Sequence, residues 1–340
     1  MKINFIIPFK RISGGIRVVY IYAKYLTEQG HHVICYLPMI SYPGKDQNLA
    51  FRVKASLSNT FKREKWFQCN FTVKAIPKIS DALVRDADVV IATSWQTAYD
   101  VKKLSAAKGR KFYFVQDYEI FNGEKDAVEG TYQLGIPMIT ISKALKKRLN
   151  TFSHDVSVVY NGLFDNEYIH TEKNQKRKFT VMLMYHEAEH KGTQRGLGII
   201  HQLEKNGMDF HVNIFGRRIF ETFPKGYTVL ENPSREALVQ MYQNSDIYLF
   251  MSTIEAWGLP IVEAMANQCA VIGRKLGALE ELFDGANAVI VQDDVQMYQK
   301  ITELMKDRHQ LHEIQKNGFD TAQQLNWKAS AEKFIEIINR

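Results

Sequence analysis

The stretch STIEAWGLPIVEAMA at residues 252–266 carries two glutamates, Glu255 and Glu263, with seven residues between them. Ionised carboxylates only accept hydrogen bonds, so such a pair calls for donor groups opposite. Short apolar runs at 246–251 and 270–273 flank the stretch and read as strands, which makes it a strand-to-helix connection. Gly258 permits a tight turn. Pro260 suits the first helical turn, where its missing N–H has no partner to lose. This spacing puts Glu255 on the loop and Glu263 in the first turn of the helix. Both then face the carboxyl end of a parallel sheet, the edge at which open α/β folds bind ligands.

Other candidate groups would bind an anion. Gly14 and Gly15 follow the first apolar run and precede a helical pattern. A helix N-terminus there offers free N–H groups and positive partial charge, and glycine allows close backbone approach. A dinucleotide fingerprint also needs G-x-G-x-x-G with an acid about 20 residues on, and the sequence has neither. By itself the glycine pair reads equally as a tight turn. In the second half Lys191 follows a strand in YHEAEHKG, and a lysine at a strand's carboxyl end can clamp a diphosphate. A solvated lysine at a helix start is the alternative. Arg217 and Arg218 follow the next strand, where guanidinium forks suit phosphate oxygens.

The elements that must position these groups alternate in type. Apolar runs of strand length fall at 2–8, 32–37, 88–92, 111–115, 138–141 and 156–160, then at 179–184, 210–215, 227–230, 247–251, 270–272 and 288–291. Amphipathic segments separate them, which implies right-handed crossovers and parallel sheets, one in each half. The polar stretch 166–178 ends in a basic run and reads as a linker. The expected organisation is an N-terminal Rossmann-like domain at 1–165, the linker at 166–178, and a second Rossmann-like domain at 179–306. C-terminal helices at 307–340 would pack back on the first domain.

Composition bounds the class. A chain of 340 residues with 45% hydrophobic and 24% charged residues is ordinary globular protein of two-domain size. The opening MKINFIIP has too short an apolar run for a signal peptide, and no run reaches the roughly 18 to 20 residues of a membrane span. Three distant cysteines, Cys35, Cys69 and Cys269, suggest neither a disulfide framework nor a metal cluster. A cytoplasmic setting fits. A net charge of +7 favours anionic partners: nucleotides, anionic lipid surfaces or nucleic acid.

Taken in order, these motifs resemble the retaining family-4 glycosyltransferases (glycosyl transferases group 1), which have the GT-B fold. The frame S-x-x-E-x-x-G-L-P-x-x-E-A-M-A around Glu255 and Glu263 is similar to the donor-site motif of that family. Gly14-Gly15, Gly30-His-His32, Ile141-Ser142, Asn161-Gly162, Lys191-Gly192, Phe215-Gly216 and Gly277-x-x-Glu280 continue the likeness along the chain. The resemblance implies two Rossmann-like domains with parallel sheets facing across a cleft. It also implies transfer of a sugar from a UDP-, GDP- or dTDP-linked donor to a glycan or lipid-linked acceptor, with anomeric configuration retained and without cofactor or metal. Carried over, Glu255 contacts the sugar, Glu263 the ribose, Gly258 and Leu259 line the donor site, and Lys191 stabilises charge on the departing phosphate. No Asp-x-Asp or histidine cluster stands at a strand end, since Asp86-Ala-Asp88 precedes its strand.

Four positions depart from the family pattern. His186 stands where an arginine is usual, Gln268 and Ala278 replace glycines, and Ala270 replaces a proline. Arg217 or Arg218 could compensate for the first. On the acceptor side, Gln116-Asp-Tyr-Glu119 follows a strand and resembles relatives that transfer deoxysugars such as rhamnose in bacterial surface-polysaccharide synthesis. Asp117 could orient the acceptor hydroxyl or cap a helix. Residues 51–67 mix basic and aromatic side chains, which suits peripheral contact with an anionic membrane or, equally, an amphipathic helix over the first sheet. Rival functions are a GT-B sugar phosphorylase or epimerase, and a non-catalytic nucleic-acid binder. The last has no RRM, KH or zinc motif in its favour, so nucleic acid is not the expected partner.

Overall fold

A computed structural model describes residues 1–11, 13–42, 53–57, 59, 67–120, 123–169, 173 and 178–340. The chain divides into two compact units, one of 1–161 with 327–340 and one of 162–326. In the first unit, strands β1 (Lys2–Ile6), β2 (His32–Pro38), β3 (Thr72–Ile76), β4 (Val89–Ala92), β5 (Arg110–Val115), β6 (Met138–Thr140) and β7 (Val156–Val158) form a sheet of order β3-β2-β1-β4-β5-β6-β7. Every pairing in it is parallel. The strand order reverses beside β1, which pairs with β2 on one side and β4 on the other.

The helices of this unit include α1 (Gly14–Glu28), α2 (Trp95–Lys103), α3 (Lys125–Tyr132) and α4 (Lys143–Leu149). Their starts are set by local chemistry. Ser13, Ser94 and Ser142 are extended N-caps whose hydroxyls accept the N–H of Ile16, Thr97 and Leu145.

The second unit has its own parallel sheet, built from β8 (Thr180–Tyr185), β9 (His211–Gly216), β10 (Thr228–Glu231), β11 (Ile247–Phe250), β12 (Ala270–Gly273) and β13 (Val289–Ile290) in the order β10-β9-β8-β11-β12-β13. Here the order reverses beside β8, which pairs with β9 and with β11. Val181, Leu183, Ile214, Ile247, Leu249 and Ile272 form the middle of its core. Helices α5 (Thr193–Lys205), α6 (Arg235–Gln243), α7 (Leu259–Ala266), α8 (Ala278–Leu282), α9 (Asp294–Lys306) and α10 (Arg308–Ala322) complete it. The fold is the two-sheet α/β architecture that the alternating pattern implies.

The structure divides the C-terminal block. Helix α10 stays with the second unit, and only α11 (Trp327–Asn339) belongs to the first. There the Phe334 ring stacks on Tyr22 of α1 at 4.6 Å and meets Phe114 edge-on at 5.5 Å. Phe334 is fully buried, so Phe334→Ala should cost about 3–5 kcal/mol. In thermal or urea unfolding the first unit's transition should fall while the second unit's stays. Equal shifts of both would contradict this division of the chain.

Strand β3 was not among the expected strands. It is an edge strand whose TVKAI sequence is only half buried and holds a lysine at its centre. Of the stretch 166–178, residues 170–172 and 174–177 lie outside the described residues, as does most of 51–67.

Candidate active site

The second unit gathers its candidate groups at the point where strand order reverses. The loop after β8 contains the short 3₁₀ turn Glu189–Lys191, and the loop after β11 carries Glu255. β8 and β11 are neighbours in the sheet. The two loops are tied together by Thr253, whose N–H donates to the carbonyl of His190 at 2.8 Å. Lys191 Nζ therefore reaches Glu255 and donates to its Oε2 at 2.7 Å. Neither side chain is more than a fifth exposed, at 19% and 16%. A pair so placed is desolvated enough for its charges to act strongly on a neighbour, yet open enough to receive one.

Two glycines lie close against Glu255. Gly258 and Gly277 have φ of +79° and +57°, and a Cβ on either would come within 3.1 or 3.0 Å of the Glu255 Cγ. Gly258 also precedes α7 as its N-cap, with Leu259 first in the helix and Pro260 second. Glu263 is thus the fifth helical residue and lies in the second turn rather than the first. Its side chain is buried, 4% exposed, with Oε1 3.0 Å from the Arg235 guanidinium and Oε2 accepting the Tyr242 hydroxyl at 3.3 Å.

His186 stands at the end of β8 with its main-chain N–H and carbonyl both bonded to Thr193 Oγ1 at 2.9 Å. Its Nδ1 accepts the Ala188 N–H at 3.0 Å, which requires that nitrogen to be unprotonated. Partial loss of hydration and the nearby Lys191 ammonium hold its pKa below the ordinary 6.5. His186 is therefore a neutral group at neutral pH and does not supply an arginine's charge. Arg217 and Arg218, exposed after β9, remain the cations at that edge besides Lys191 that sequence reading singled out.

The first unit holds Gly14, Gly15 and Asp117. Gly14 has no atom within 4 Å of where a Cβ would stand, and Gly15 has only the Gln116 side chain at 3.6 Å. No positive φ and no close neighbour demands glycine at either position. Gln116 donates from Nε2 to the Gly15 carbonyl at 3.1 Å, which joins the Gln-Asp-Tyr-Glu segment to that turn. Asp117 is half-buried, accepts the Tyr118 N–H at 2.7 Å and begins no helix.

The segment ends in a group whose titration sequence reading passed over. Glu119 Oε2 accepts both the Trp95 N–H at the start of α2, at 2.8 Å, and the Tyr113 hydroxyl, at 3.1 Å. Burial pushes its carboxyl from the ordinary 4.5 up to about 8. Well below pH 4.5 the group is protonated whether folded or unfolded. As pH rises toward 8 the unfolded chain ionises and the folded chain does not, so stability is lost across that window. Glu119→Gln should match the parent's melting temperature near pH 3.5 and exceed it near pH 8. Parallel curves across that range would refute the assignment.

Residues 165–321 match the family described as Glycosyl transferases group 1. That match lies within the second unit, and the chain as a whole has the two-sheet α/β fold that GT-B glycosyltransferases share. HepE from Anabaena, solved with UDP and glucose, superposes with a TM-score of 0.76 over 100% of this chain and 99% of its own, at 14% identity. Sucrose-phosphate synthase from Thermosynechococcus elongatus gives 0.74 over 99% and 98%, at 12% identity. WaaG, a glycosyltransferase involved in lipopolysaccharide biosynthesis, gives 0.65 over 99% of each chain, also at 12%. At such identities the likeness is one of fold. Among curated proteins none matches the sequence.

Proposed function

We propose that the protein moves a sugar from a nucleotide-diphosphate donor to an acceptor hydroxyl with retention of configuration, without a metal, in bacterial cell-surface glycan synthesis. The observation that carries this reading is the Lys191–Glu255 pair at the strand-order reversal of the second sheet. Glu255 accepts from sugar hydroxyls, Glu263 from the ribose, and Lys191 meets the diphosphate with Arg217 or Arg218 in support. The N-terminus of α1, which begins at Gly14, suits an anion. Asp117 orients the acceptor hydroxyl.

In the reaction the bond from the sugar's anomeric carbon to the β-phosphate oxygen breaks as the bond to the acceptor oxygen forms on the same face. The acceptor's proton passes to the departing phosphate. Negative charge therefore grows on that phosphate, and stabilising it is the main catalytic work. HepE structures solved with UDP and glucose and with UDP-glucose support a nucleotide-sugar donor, and WaaG's role in lipopolysaccharide biosynthesis supports a surface glycan. No described helix is long and apolar enough to cross a membrane. Peripheral attachment at the cytoplasmic face of a membrane, through the basic aromatic segment 51–67, belongs to the same reading.

The test is a screen of UDP-, GDP- and dTDP-sugars by thermal shift and hydrolysis. A true donor at about a hundred times its Kd stabilises the fold by about 2.7 kcal/mol. Transfer should persist in EDTA, and proton NMR of the product should show the donor's anomer. No donor response at all would refute the activity, and an inverted product would refute retention. Liposome co-sedimentation that fails to respond to charge reversal at Lys62, Arg63 and Lys65 would refute the membrane contact.

A further inference from the structure

Behind the donor-site acid lies a cation with no role in the chemistry above. Arg235, on α6, inserts its guanidinium between two carboxylates, reaching Oε1 of Glu263 and Oε1 of Glu167. Those side chains are 4% and 3% exposed. The second oxygen of Glu167 accepts the Phe164 N–H at 2.9 Å, and the second oxygen of Glu263 accepts from Tyr242. Asn267, fully buried, donates to the main-chain carbonyls of both glutamates at 2.8 Å. Two carboxylates at such depth repel each other, and either one left unpaired would be costly to bury. The Arg235 Nη2 meets both at once because one terminal guanidinium nitrogen carries two N–H donors.

We infer that Arg235 is a positioning residue for donor recognition: it fixes the orientation of the Glu263 carboxylate so that it can accept from the ribose hydroxyls. This rests on the reading that Glu263 grips the ribose. Glu167 anchors the same Arg235 nitrogen that Glu263 meets, and its own loop is pinned by Phe164 and Asn267. The direction of Glu263 is thereby set by residues that come from α6 and from the segment leading into β8. Arg235, at 35% side-chain exposure, closes the network toward solvent.

The experiment compares Kd values by calorimetry for UDP and GDP against their 2′,3′-dideoxy forms, in the parent and in folded variants. A hydrogen bond to a charged group is worth roughly 1.5–3 kcal/mol, so the parent should prefer the ribose form by about tenfold or more. Glu263→Gln and Arg235→Ala should each reduce that preference to within about twofold, and Arg235→Lys should restore part of it. Should Arg235→Ala fail to fold, Arg235→Gln combined with Glu167→Gln removes the arginine together with one carboxylate and carries the same expectation.

The two ways of failing are distinct. A parent without ribose preference overturns the reading of Glu263 and the inference with it. A parent that has the preference and loses it with Glu263→Gln, but keeps it in the Arg235 variants, overturns the inference alone. Weaker binding of both nucleotide forms at an unchanged ratio would make Arg235 merely structural and would also overturn it.

Discussion

Glu255→Gln should lower sugar transfer by about 10²–10³-fold while the melting temperature moves by no more than a few degrees. The substitution keeps shape and leaves an amide oxygen for the Lys191 ammonium, which now donates to Oε2 at 2.7 Å. It removes the negative charge from a position less than a fifth exposed, where charge is weakly screened. An amide both donates and accepts, so sugar hydroxyls held by a purely accepting group would be held in the wrong direction. The loss should appear in kcat at saturating donor more than in KM, since the interaction tightens as the sugar becomes electron-poor. Near-parental turnover in a folded variant would remove Glu255 from the site.

Lys191→Ala should weaken nucleoside-diphosphate binding by about one to two orders of magnitude, the range expected for a hydrogen bond between charged groups. Affinity for the corresponding nucleoside without phosphate should stay within about twofold, because the lost contact is to phosphate alone. The variant also leaves Glu255 as an uncompensated negative charge facing the diphosphate, so turnover should fall further than affinity does. The neutral His186 beside it cannot take over the charge near neutral pH. Equal weakening of nucleoside and nucleoside diphosphate would mean that Lys191 supports the pocket and does not touch phosphate.

Much of this arrangement was legible in the sequence because it is local. The apolar runs that became β8, β11 and β12 have short polar connections, so the ends of these strands could be located within a residue or two. Glycine and proline in Glu255-Ala-Trp-Gly-Leu-Pro260 fixed loop and helix start, and Lys191 stood at a strand end for the same reason. The surroundings of Glu263 were illegible. Its partners Arg235, Tyr242 and Glu167 lie on other elements, and each reads in sequence as an ordinary residue of an amphipathic helix or a polar linker. Glu167 in particular fell inside a stretch whose polarity suggested solvent, whereas the fold buries it to 3%. The raised titration of Glu119 likewise comes from burial that only the folded chain creates, against which the hydrogen bonds from Trp95 and Tyr113 act to lower it. Strand β3 was missed because an edge strand needs only one buried face, so its alternation is weak.

The return of α11 to the first unit has a consequence for biogenesis. During synthesis the sheet of residues 1–161 is made first, but the helix that covers Tyr22 and Phe114 is translated only after all of 162–326. At ordinary elongation rates that interval is on the order of ten seconds or more, long beside the microseconds in which chains collapse. The nascent polypeptide must carry an aromatic face uncovered through this wait, which makes it a natural client for chaperones. A ribosome that stalls before Trp327 would release a product unable to seal that face, and proteolysis would be its expected fate.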